Sequence, residues 1–184
     1  MKNKYIIAIG GFARSGKDTC CRALLETAPE DIKGRRIAFA DILKNEVDEF
    51  LIKETGISAW TDNPKEKEII RPFLVFWGTD FRRQYNPEYW IQKVDKVIDD
   101  DNEHNTFIIT DLRFPNELEW VKKNGGVSCV LRRKGIEAPN STEEINNAEL
   151  LKQVDYIFNW PDLTADEIKH HVKTTIWPLL YAKH

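Results

Sequence analysis

Residues 11–19 read GFARSGKDT, so Gly11, Gly16 and Lys17 fall on a G-x-x-x-x-G-K spacing. A short apolar run precedes this stretch and a helix-like segment follows it, the context in which such a spacing builds a phosphate-binding loop. Backbone N–H groups running from Gly11 through Arg14, Ser15 and Gly16 to Lys17, Asp18 and Thr19 can surround an anion. The positive end of the following helix favours negative charge at the same place. Lys17 can reach the β- and γ-phosphates of a nucleoside triphosphate. Asp18 stands where such loops usually carry Ser or Thr, so the hydroxyl that helps hold magnesium has to come from Thr19. Asp18 itself could hold a magnesium-bound water or bond a neighbouring backbone amide. A second acid, Asp111 in FIITDLR, either ends a strand close to the metal or caps a helix. ATP and magnesium are the implied ligands.

These residues need a scaffold that brings strand ends together. Apolar runs at Tyr5–Ile9, Arg36–Ala40, Thr106–Thr110, Val127–Leu131 and Tyr156–Phe158 read as five strands, several buried on both faces. Helices are expected over Lys17–Thr27, Ile42–Thr55 with Asp41 as cap, Arg71–Tyr85 with an interruption near Gly78, Pro87–Asp100, Asn116–Asn124 and Leu163–Tyr181. Residues 57–70 read as a polar connection broken at Asn63-Pro64, and Asp99–Glu103 as a solvated acidic loop. Alternating strands and helices imply a mostly parallel sheet covered on both faces, with ligands beyond the C-terminal strand ends. The 184 residues fit one domain. A net charge of −3 supplies no bulk attraction to nucleic acid. Cys20, Cys21 and Cys129 have neither disulfide nor zinc spacing, and MKNKYIIAIGG is too short for a membrane span and lacks a cleavage pattern. The expectation is a cytosolic protein with reduced thiols. None of His104, His170, His171 and His184 is placed for catalysis, and no guanine-specific Asn-Lys-x-Asp occurs, so a small kinase is the natural class.

The stretches GFARSGKDT, FADILK, FWGTDFRR, YWIQKV and ITDLRFPNELEWVKKNGG, in this order, resemble the phage-type deoxynucleoside monophosphate kinases, which are adenylate-kinase-like P-loop kinases. The resemblance covers about residues 5–160. It implies an α/β three-layer sandwich of the P-loop NTPase type, with a mostly parallel five-stranded sheet. A helical acceptor lobe would span about 41–100 and a short lid about 132–149. It further implies transfer of the ATP γ-phosphate to a deoxynucleoside 5′-monophosphate. Relatives often carry His-x-Ser-Glu in the lid, where this chain has Asn140-Ser141-Thr142-Glu143.

Two anionic reactants repel, so cations must converge on them. Lys17, Arg14, Arg71, Arg82, Arg83, Arg113, Arg132 and Arg133 are the candidates. Of Arg82 and Arg83, at least one is expected on the acceptor's phosphate, because a guanidinium fork matches phosphate oxygens. Arg113 either touches substrate or braces a carboxylate. Arg132 and Arg133 open the lid, and Asn159 sits where relatives hold adenine. Asp41 and Lys44 would face the acceptor. Phe73, Phe76, Trp77, Tyr89 and Trp90 are either core or base-stacking, with Trp77 favoured for stacking because Gly78 leaves room. A second enzymatic reading changes the acceptor to a hydroxymethylated base within phage DNA, and a third makes the chain a nucleotide-binding regulator. A homodimer through the aromatic helix 72–81 is compatible with the sequence.

Overall fold

The computed structural model describes residues 4–138, 140–160 and 162–182. Five strands form one parallel sheet: β1 (Tyr5–Gly10), β2 (Gly34–Ile37), β3 (Thr106–Leu112), β4 (Val127–Arg132) and β5 (Tyr156–Asn159), ordered β2-β3-β1-β4-β5. All four pairings are parallel. The runs that read as doubly buried behave so, since every residue of β1 is buried. Tyr5, Ile7 and Ile9 join Cys20, Cys21 and Leu24 of α1 (Lys17–Glu26) and the C-terminal helical segment in the main core. That segment is α7 (Ala165–His171), a wide π-turn over Val172–Ile176 and α8 (Trp177–Tyr181). Helix α5 (Pro115–Lys123) packs instead on β1 and β4, beside α6 (Ser141–Leu151). The result is a three-layer α/β sandwich. β1 lies between β3 and β4, so the chain order reverses about it, and in open α/β sheets that reversal marks the ligand edge.

The chain divides into two compact units, Met1–Ile37 with Ile98–His184 around the sheet, and Ala38–Val97. The second holds α2 (Phe39–Thr55), α3 (Pro64–Val75), a π-helical continuation over Phe76–Arg83, and most of α4 (Tyr89–Asp100). Its core gathers Val47, Leu51, Ala59 and Ile70, with Leu43, Phe73 and Trp77 packed against them.

Several sequence expectations need correction. β2 stops at Ile37 and Phe39 already opens α2, so Asp41 is the third helical residue and the cap position belongs to Ala38. Asn63-Pro64 starts a helix rather than breaking a connection. The Asn63 side chain accepts a hydrogen bond from Lys65 N, and Pro64 occupies the first helical turn, where its missing N–H costs nothing. No interruption occurs at Gly78, because the helix widens to π geometry there. The acidic stretch 99–103 is not all solvated. Asp101 is buried, bonded to Arg35 at 2.6 Å and to the His104 ring. Among the described residues no helix is long and apolar enough to cross a membrane.

Candidate active site

β1 delivers the chain into the loop at Gly10-Gly11, and the loop turns three times through left-handed backbone, at Gly11 (φ 127°), Arg14 (φ 67°) and Gly16 (φ 100°). Glycine meets this requirement at two of the positions; Arg14 bears it as an L residue, a strain typical of ligand-binding loops. Both glycines are also sterically obligatory. A Cβ on Gly11 would lie 2.4 Å from the Leu131 carbonyl oxygen, and one on Gly16 would lie 2.5 Å from the Trp160 indole. Ser15 is buried, and its Oγ has no hydrogen-bond partner among the described residues. An orphaned buried hydroxyl in this loop fits a bound phosphate oxygen, while the Ser15 amide itself donates to the Phe12 carbonyl at 3.2 Å. Lys17 Nζ folds back to donate to the carbonyls of Gly11 and Phe12, both at 2.7 Å. Burial, followed by the Arg113 charge, lowers its pKa, against the opposing pull of Asp18, Asp111 and Glu143. The loop is thus shaped as an anion cradle closed on itself by its own lysine.

Asp18 is exposed, and among the described residues its side chain is paired with Arg36 at 3.8 Å rather than with a backbone amide. The backbone-amide role expected of it is therefore not seen. Thr19 is exposed one residue further along α1. Asp111 sits inside β3 rather than after it. The β1–β3 register steps from Ala8↔Ile109 to Gly10↔Leu112, so one extra residue is inserted around Thr110–Asp111. Such bulges re-aim a side chain where a strand reaches a functional edge. Among the described residues no group of three or more acidic, His or Cys side chains forms a metal cage. A site of one carboxylate and one hydroxyl with substrate phosphates is nonetheless an ordinary magnesium arrangement.

Arg113 follows β3 and approaches Glu143 of α6, with 3.6 Å between Nη1 and Oε1. Its backbone is held by a residue the sequence did not single out. Glu117, almost fully buried, accepts from the amides of Arg113 (2.8 Å) and Phe114 (3.0 Å) and so fixes the turn beyond Asp111. Arg132 is exposed at the end of β4, in register with the exposed Asn159 of β5. Arg133 pairs with Asp162, its Nη2 2.6 Å from Oδ1. Most of the helix α6, capped by Asn140, falls in the expected lid range; Pro139 in that range and His184 lie outside the described residues.

In the Ala38–Val97 unit, Arg82 is half-buried and bound to Glu46, which also takes hydrogen bonds from Trp77 and Tyr89. Trp77 is already stacked on Phe73 and Phe81, and Leu43 fills the space beside Gly78, 2.3 Å from where a Cβ would stand. The room expected for a base at Trp77 is therefore occupied. Trp90 leaves the acceptor set altogether. It is 1% exposed and donates its indole N–H to the Gly78 carbonyl at 2.9 Å. Lys44 lies 4.7 Å over the Trp60 ring, Arg71 is exposed on α3, and Arg83 is half-buried.

The family model described as phosphomevalonate kinase matches residues 9–126 of this chain. No curated protein sequence matches it. Among solved structures, a gluconokinase from Sinorhizobium meliloti 1021 is similar at TM-score 0.50 and 12% identity, covering 99% of this chain and 97% of that one. A shikimate kinase from Aquifex aeolicus vf5 stands at TM-score 0.49 and 16% identity over 94% and 96%. The gluconokinase likeness speaks to the fold alone.

Proposed function

The chain belongs to the phosphomevalonate kinase family and is an ATP-dependent phosphotransferase acting on a small molecule, and from that premise we propose that its acceptor already carries a phosphate and is a deoxynucleoside 5′-monophosphate. The family's name itself describes a phosphorylated acceptor. The observation that carries the reading is Arg82. It is an arginine fixed by a carboxylate and aromatic rings through Nε and Nη2, with Nη1 left unbonded among the described residues, so the N–H groups of its outer Nη1–Nη2 edge are the ones it can offer a terminal phosphate. The nucleoside assignment rests on the motif order from GFARSGKDT through FWGTDFRR to ITDLRFPNE.

In this account the amides of residues 11–19 and Ser15 Oγ hold the β- and γ-phosphates of ATP. Lys17 gives up its two carbonyl bonds and follows the charge as it shifts to the leaving oxygen. Thr19 and Asp111 would hold magnesium, which when bound neutralises the phosphate oxygens. Arg113 completes the cationic set, exchanging Glu143 for phosphate. An acceptor phosphate oxygen forms its bond to the γ-phosphorus as the bond to the bridging oxygen of ADP breaks. That nucleophile is already ionised at neutral pH, so no general base is required. The histidines agree: His104 is spent on Asp101, and His170 and His171 ride on α7.

A second reading keeps the machinery and makes phosphomevalonate the acceptor, as the family description suggests. Action on a base within DNA is disfavoured by the net charge of −3. One screen separates them: ADP release with ATP, magnesium and, in turn, each free deoxynucleotide, phosphomevalonate and DNA oligomers. Turnover with a deoxynucleoside monophosphate supports the proposal. Turnover confined to phosphomevalonate or to DNA refutes it.

A further inference from the structure

Glu46, on α2, takes bonds from three side chains of the Ala38–Val97 unit. Its Oε1 accepts from Arg82 Nε at 2.8 Å and from Trp77 Nε1 at 2.9 Å, and lies 2.7 Å from Arg82 Nη2. Its Oε2 accepts from the Tyr89 hydroxyl at 2.5 Å. The Arg82 guanidinium carbon lies 4.7 Å from the Trp77 ring centre and 4.5 Å from that of Tyr89. Trp77 is in turn stacked on Phe73 and Phe81. Burial alone would raise the Glu46 carboxyl's pKa, yet the bonds from Tyr89, Trp77 and Arg82 hold it below the ordinary range, so it is ionised at neutral pH.

This arrangement engages two of the three guanidinium nitrogens and restrains the plane of the group. Only Nη1 has no acceptor among the described residues, and the side chain remains 29% exposed. An arginine loses much rotamer freedom when it engages a ligand, and a side chain already ordered has less left to lose. We propose that Glu46 is a positioning residue that holds Arg82 with its Nη1 edge presented to the acceptor's phosphate. The inference rests on the assignment of Arg82 to that phosphate made above. It has an opposite with a definite sign. A carboxylate near an anion site also repels the anion, so a Glu46 that served only as counter-charge would improve acceptor binding when neutralised.

The test compares Glu46→Gln, Arg82→Lys and the double variant. Glu46→Gln keeps the shape and one acceptor oxygen, turns the other into an amide donor that the Tyr89 hydroxyl can accept, and removes the ionic pull. It should raise the acceptor KM about tenfold while leaving the ATP KM within about twofold. The double variant should be no worse than Arg82→Lys alone, because both changes act through one side chain. A lowered acceptor KM in Glu46→Gln, or additive effects in the pair, overturns the proposal. A second readout needs no acceptor. The Arg82 Nε–H signal in a proton–nitrogen NMR spectrum, assigned by its loss in Arg82→Lys, should exchange slowly with solvent in the wild type and rapidly in Glu46→Gln. Equal protection in both overturns the positioning role. If the wild type turns over no phosphomonoester, the functional reading falls, and the exchange measurement still decides whether Glu46 immobilises Arg82. Should Glu46→Gln not fold, Glu46→Asp withdraws the oxygens by one methylene and is read the same way.

Discussion

Replacing Gly11 by alanine isolates what the loop demands of its backbone. Gly11 has φ 127°, and an added Cβ would stand 2.4 Å from the Leu131 carbonyl oxygen and 2.8 Å from Ser15 Oγ. Leu131 is buried in β4, which is paired to β1 on one side and β5 on the other, so its backbone has little freedom to retreat. The left-handed conformation costs an L residue about 1–2 kcal/mol, and forcing a methyl into filled space about 1–3 kcal/mol more. The sum, about 2–5 kcal/mol, lowers Tm by roughly 4–20 °C in a chain of this size. Gly56→Ala is the matched control, since Gly56 has φ 71° and nothing within 4 Å of the added Cβ. It should lose only the conformational part, about 1–2 kcal/mol. Thermal unfolding of both variants, with and without ATP and magnesium, reads the difference. Gly56→Ala should keep the wild-type upward shift with nucleotide, and Gly11→Ala should melt lower and lose it. If Gly11→Ala melts within a degree of Gly56→Ala and retains the nucleotide shift, the steric argument for the loop is wrong.

Further expectations concern single side chains. Lys17→Ala should abolish phosphoryl transfer while leaving the nucleotide-free Tm unchanged or raised, because a half-buried ammonium is present for charge neutralisation rather than for packing; normal turnover by the folded variant would remove the mechanism. Arg82→Ala and Arg83→Ala should chiefly raise the acceptor KM, and normal kinetics in both would show the acceptor site to be misplaced. Trp90→Phe removes a buried donor to the Gly78 carbonyl, so it should destabilise by about 1–3 kcal/mol with the acceptor KM unchanged; a raised KM in a stable variant would return Trp90 to the site. Asp101 is held well below the usual carboxylate range, first by Arg35 and, against the cost of burial, by the backbone amides of His104 and Glu103 and the His104 ring. Its contribution is therefore fully present above the unfolded-state pKa and is lost as pH falls through the folded-state value. Acid unfolding should show a flatter dependence below about pH 4 in Asp101→Asn than in wild type, and parallel acid limbs would contradict this.

What the sequence made legible is what local pattern controls. β1, β3 and β4 are apolar-rich, largely buried runs, and the G-x-x-x-x-G-K spacing lies in one stretch of chain. Misreadings arose where one residue type serves two ends of an element. Asn63-Pro64 punctuates a helix start as readily as a break, and Phe39-Ala40 continued an apolar run that had already turned helical. Helix α6 was missed because it buries only Leu150 and so carries almost no periodic signal. Glu46 could not be found locally at all. Its partners Trp77, Arg82 and Tyr89 stand 31, 36 and 43 residues along the chain, and only the folded helices bring them together. Glu117 was hidden differently, as one of several acids in a helix, distinguished only by its burial and by the two amides it accepts. The extra residue at Thr110–Asp111 is a property of pairing and leaves no mark on either strand alone.

The central claim is that the loop from Gly11 to Thr19 holds ATP for transfer to a second, phosphate-bearing molecule. Phosphorus NMR of the enzyme with ATP, magnesium and a panel of deoxynucleoside monophosphates follows both halves of that reaction at once. The account predicts a diphosphate product appearing in step with ADP, and neither appearing with Lys17→Ala. ADP accumulating as free phosphate is released, with every acceptor unchanged, would contradict it.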